Sequence, residues 1–147
     1  MKSRVIVVGV DGSAAGRAAL RWALEEAGRG DATVQAMMAR LRRRALVAVG
    51  PSGVHPCTEL PSGRHPAHEL HALIVETRAE LPGAPETAEI TVVGDTSAAL
   101  IQASRRADLL VIGATEAFQG SVVADCVQHA ACPVVVIPPG VARASSV

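Results

Sequence analysis

The sequence predicts an α/β fold, an open parallel sheet with helices on both faces, on three observations. Short continuous runs of β-branched residues alternate with segments of helical periodicity, the pattern of strand, crossover and strand. Gly, Asp and Ser stand at the strand exits, and Pro or Gly at the helix ends. The apolar content is aliphatic and alanine-rich, with aromatics at 1%. A core of Val, Leu, Ile and Ala suits parallel strands covered by closely approaching helices.

Val5 to Val10 is a continuous β-branched run, as expected of a central strand buried on both faces. Asp11-Gly12-Ser13 supplies a turn and a helix N-cap, with Ser13 or Asp11 placed to accept the first N–H groups of the following segment. Ala14 to Ala27 carries Ala15, Ala18, Ala19, Trp22, Ala23 and Ala27 at helical spacing, and Gly28 and Gly30 end it. Trp22 is read as packing at the core or its rim. Asp31 to Ala39 is a second strand, diluted by Ala and Gln. Pro66 to Leu81 is the second helix, with Pro66 at its first position and Pro82-Gly83 stopping it. Glu89 to Val93 forms the third strand, Ser97 to Ala107 the third helix and Asp108 to Ile112 a fourth strand, as apolar as the first. Ser121 to Ala131 is a last helix closed by Pro133, and Val134 to Ile137 the fifth strand. Such units predict right-handed crossovers.

Between these elements the Arg40 to Arg44 cluster is read as a solvated loop or strand end, and Ala45 to Val49 as a short extra strand or loop packing. Gly50 to Gly63 holds Pro51, Gly53, Pro56 and Pro61, too many breakers for an element, so a mobile surface loop is expected over about 50–65. The tail 141–147 is expected to fray. His65, His68 and His71, with His55, Cys57 and Glu69 nearby, invite a metal reading. His68-Glu69-Leu70-His71 lacks the four-residue spacing of a zincin helix, and a solvated helix face is the reading preferred.

A chain of 147 residues is the size of one domain with one core. Fourteen Lys+Arg balance fourteen Asp+Glu, which removes the electrostatic case for nucleic acid or an anionic membrane as main partner. One Trp and one Phe make no stacking platform for bases. No apolar run approaches a membrane span or a signal h-region. Three cysteines in no framework spacing fit a reducing compartment, so the cytoplasm is expected.

Chemistry points to the stretch after the fourth strand, where Gly113, a short loop and Gly120-Ser121 at a helix start could offer N–H groups to a phosphate. No Gly-Lys-Ser/Thr follows Gly113 and no Gly-x-Ser-x-Gly elbow occurs. Asp125, Cys126 and His129 lie among small apolar residues and read as packing, so no catalytic residue is assigned.

Val7 to Ser13, Gly94-Asp95-Thr96, Ala107 to Gly113, Gly120-Ser121 and His129 to Pro138, in that order, resemble the universal stress protein family. The resemblance runs from Arg4 to Pro138. It implies an adenine nucleotide alpha hydrolase-like sheet in the order 3-2-1-4-5, with a ligand at the switch point between strands one and four. It also implies a site for ATP or AMP made by Asp11, Gly113, Gly120 and Ser121, with Asp11 at the adenosine end. A homodimer through the edge strand Val134 to Ile137 is implied too, together with a signalling partner that the sequence does not name.

In nucleotide-binding members the pattern after strand four is Gly, two residues, Gly, nine residues, then Gly-Ser or Gly-Thr. Here Glu116 replaces the second glycine, and Gly120-Ser121 arrives about six residues early. A carboxylate repels polyphosphate, and a shorter loop offers fewer N–H groups. Two readings follow. In one, the chain is a dimeric stress-response module with weak or lost adenine-nucleotide binding. In the other it binds ATP or AMP through the four residues named, with slow ATP hydrolysis at most.

Overall fold

The computed structural model describes residues 4–40, 66–114 and 121–138. The sequence readings at 41–65, the loop 115–120 and the tail lie outside them. Nine elements follow in order: β1 (Arg4–Gly9), α1 (Ala14–Gly28), β2 (Ala32–Arg40), α2 (Pro66–Ala79), β3 (Thr87–Val93), α3 (Thr96–Ser104), β4 (Leu109–Gly113), α4 (Ser121–His129) and β5 (Val134–Ile137). The five strands are parallel in the order β3-β2-β1-β4-β5, as expected.

Alternation along the strands explains the layers. Ile6 and Val8 point to a core shared with Leu20, Leu24, Leu70 and Ile74 of α1 and α2. Val7, Leu110 and Ile112 point to the opposite core with Leu100 of α3 and Cys126 of α4. Every residue of β4 is buried, which accounts for its unbroken apolar run. Trp22 is partly buried and packs on the first core, as read from sequence.

Boundaries differ from expectation for local reasons. α2 ends at Ala79 and α3 at Ser104, short of Leu81 and Ala107, because the chain tightens there. Glu80 and Leu81 donate to the carbonyls of Thr77 and Arg78, while Arg105, Arg106 and Ala107 donate to those of Gln102, Ala103 and Ser104. These are three-residue steps in place of four. α4 stops two residues before Ala131, where Ala131 N–H donates instead to Ser104 Oγ at 2.9 Å. β3 starts at Thr87, two residues early, because pairing with Val34 extends its ladder. Gly28 does not stop α1 by a left-handed turn. It is the last helical residue, and Arg29 caps the end in a right-handed conformation.

A side chain at Gly28 would meet nothing within 4 Å. Gly28→Ala is expected to raise stability by about 0.4–1 kcal/mol through the entropy of the unfolded chain. Urea unfolding of both proteins checks it.

Candidate functional site at the switch point

β1 lies between β2 and β4, and the chain direction of the crossovers reverses there. The carboxyl ends of β1 and β4 therefore stand at the switch point, the place where open α/β sheets take ligands. On one side runs Val10 to Ser13; Val10 N–H still bonds to Met37 O of β2 at 2.9 Å. On the other stand Gly113 and Ala114, with Ala114 N–H donating to Ile137 O at 2.8 Å.

The turn after β1 is built by its own side chains. Asp11 Oδ1 accepts from Ser13 N–H at 3.0 Å and from the Ser13 hydroxyl. Ser13 Oγ in turn accepts from Gly16 N–H at 3.0 Å, so Ser13 is the N-cap and Asp11 the residue that holds it. The two candidates left open by the sequence thus act in series. Gly12 has φ 85°, a left-handed turn that suits glycine. Gly16 is a glycine because a methyl group there would stand 2.6 Å from Asp11 Oδ1.

Gly113 also has a packing duty. A methyl group at this position would meet Ala15 O at 2.5 Å and Gly16 N at 3.0 Å, so the first turn of α1 rests directly on the end of β4. Of the four residues assigned by resemblance, Asp11 and Gly113 come together here across the start of α1. Gly120 lies outside the described residues, as does Glu116. Ser121 opens α4, though its side chain is not described.

One residue of this rim escaped the sequence reading as part of the site. Glu69, in the first turn of α2, brings Oε1 within 2.9 Å of where a Gly12 methyl would stand. In the sequence it stood out only beside the histidines weighed as a metal site; the contact spans 57 residues and has no local signature. Gly16 was likewise missed, although small residues three after an N-cap signal a crowded first turn.

The other titratable groups belong to the scaffold. Asp108 Oδ2 accepts from Val5 N–H at 2.8 Å, and Arg21 joins Glu25 at 3.2 Å and Glu80 at 2.7 Å. Arg21 lines a groove of about 210 Å3 between α1 and α2, with Arg17, Glu76 and Glu80, in the helix layer. His71 Nδ1 lies 2.9 Å from Glu89 Oε2 on β3. Among the described residues no three His, Cys, Asp or Glu side chains converge as a metal site, and no helix is long and apolar enough to cross a membrane. Burial, with Asp125 and Asp95 nearby, pushes the Cys126 thiol up from 9.0 to about 11. That keeps it protonated and unreactive at neutral pH, in line with a packing role.

The profile of the universal stress protein family matches residues 2–138. The chain belongs to this family. A universal stress protein solved in complex with cAMP is 25% identical, with a TM-score of 0.64 over 95% of this chain and 99% of that one. The family member from Archaeoglobus fulgidus in complex with dAMP is also 25% identical, with a TM-score of 0.61 over 93% and 99% of the two chains. A member from Arabidopsis thaliana with AMP bound shares the fold at 21% identity, with a TM-score of 0.63 over 92% and 91%. No curated protein sequence matches the chain.

Gly113→Ala is expected to cost about 1–3 kcal/mol, because backbone lies on both sides of the contact. Ser13→Ala, which removes the cap, is expected to cost about 1 kcal/mol. Urea midpoints measure both. The raised Cys126 pKa stabilises the fold below about pH 9, and this contribution is lost as pH rises from 9 towards 11, since the unfolded thiol ionises first. Cys126→Ser should flatten that alkaline limb of the stability curve.

Proposed function

We propose that the chain is a single-domain, cytoplasmic stress-response module that works as a homodimer, and that its switch-point crevice takes a small adenine nucleotide weakly and ATP poorly. The observation that carries this reading is the double employment of Asp11 and Gly113. Asp11 Oδ1 already serves Ser13, and Gly113 already seats Ala15. Glu116, in a loop shorter than the family pattern, further disfavours a polyphosphate. The nucleotides carried by the two relatives at 25% identity, cAMP and dAMP, support a monophosphate of adenine as the ligand class. The two ends of the site, Gly113 and Gly120-Ser121, support the second reading, a true ATP or AMP site formed with Asp11 and capable of slow hydrolysis.

Calorimetry separates the two readings. AMP is expected to bind in the high micromolar to millimolar range and ATP more weakly, with or without magnesium. ATP binding tighter than AMP would favour the second reading, and phosphate release that falls in Asp11→Ala would add hydrolysis to it.

The dimer reading rests on the sheet edge. Among the described residues β5 pairs only with β4, and Val134, Val135 and Val136 are half-exposed. Pro133 O and Ile137 O bond to β4, so by the period of two the main-chain groups of Val134 and Val136 face the open side. Val136→Pro removes an outward donor without touching the inner ladder. In sedimentation the wild type should have the mass of two chains and Val136→Pro that of one; a one-chain wild type would overturn the dimer.

A further inference from the structure

β5 is an edge whose hydrogen-bonding groups limit how a second copy can lie against it. Among the described residues no strand lies beyond it, and Val134, Val135 and Val136 are half-exposed. Leu110 N–H bonds to Pro133 O and Ala114 N–H to Ile137 O, so the main chain of Pro133, Val135 and Ile137 serves β4. The N–H and C=O groups of Val134 and Val136 point the other way, by the period of two. Copies of one edge meet about a twofold axis. An axis along the strand would make a parallel pair with each residue opposite itself, outward groups against outward groups. A parallel ladder needs the reverse, because its slanted bonds run from an outward residue to the neighbours of the residue opposite. The pair is therefore antiparallel.

In an antiparallel pair, outward residues exchange both bonds with the residue directly opposite. With Val134 opposite Val136 of the second copy, every N–H and C=O of these valines is bonded, and only strand residues are used. A slip that sets Val136 opposite itself brings Val134 opposite Pro138, which has no N–H. The other slip brings Val136 opposite Cys132, in the bend before the strand. We infer that a second copy of this chain pairs antiparallel with β5 on a twofold axis beside Val135, with Val134 of one copy facing Val136 of the other. This rests on the dimer reading above and gives it a register. Val135 meets its mate on the face of α1 and α2, while Val134 and Val136 meet on the face of α3 and α4. Such β-branched pairs bury the valines left half-exposed. The strands of the two copies point in opposite directions, so their switch points stand at opposite rims of the joined sheet.

The test is disulfide trapping. Facing Val135 residues form a pair without hydrogen bonds, with Cα atoms about 4.5 Å apart and within disulfide reach. Val134 lies two residues along the ladder from its own mate, roughly 8 Å away and beyond that reach, and the same holds for Val136. Val134→Cys, Val135→Cys and Val136→Cys are made singly in the full chain with Cys57→Ser and Cys132→Ser, the buried Cys126 being kept. Each is sized by sedimentation and then oxidised with oxidised glutathione. Val135→Cys should give linked dimer at least about fivefold above the other two. A second measurement leaves Val135 intact and so stands even if its variant folds poorly. Chains with Val134→Cys, mixed and exchanged with chains carrying Val136→Cys, should link to each other more than either links to itself. Two-chain mass with the strongest link in Val134→Cys or Val136→Cys alone, or with no link in any variant or mixture, overturns the register while the dimer stands. A one-chain mass for the wild type overturns both this inference and the dimer reading.

Discussion

The close seat of the first turn of α1 on the end of β4 is the constraint around which the switch point is built. Backbone meets backbone there, at distances that leave no room for a side chain at Gly113. The same turn is fixed from the other side by Asp11 and Ser13, and Gly16 yields the space that the Asp11 carboxylate needs. Two glycines, one aspartate and one serine thus form a single packing problem. Its solution sets how the first turn of α1 sits on the end of β4.

This dual use bears on how such a site diverges. A glycine in a phosphate loop is usually explained by the approach of ligand backbone contacts. At Gly113 the approach of α1 is sufficient explanation by itself, so its presence is compatible with a site that has weakened. The residues that bear only on ligand are free to drift, and the Gly113 to Gly120 interval, with Glu116 inside it, is where this chain departs from the family pattern.

The fold was legible because its strands announce themselves. Val5 to Val10 and Leu109 to Ile112 are apolar without alternation, which marks central parallel strands, and the turn residues between elements are chemically specific. Element ends were less legible, since tightened turns at Glu80 and Arg105 depend on how the chain leaves the helix rather than on any residue signal. Asp11 and Gly113 stand where a switch-point ligand is expected, yet their bonds to Ser13 and their contact with Ala15 are tertiary facts. Glu69 shows the limit most clearly, because its approach to Gly12 joins positions remote in sequence, and its neighbours in the chain suggested only a histidine cluster.

The two rims of the sheet are chemically unlike. β5 presents a short row of valines, while β3 mixes Thr87, Glu89 and Thr91 with Ile90, Val92 and the exposed Val93, and its Glu89 is tied to His71. A charged, partly tethered rim resists the addition of another strand. A homodimer of the kind proposed above, joined through β5, would turn β3 outward at both ends.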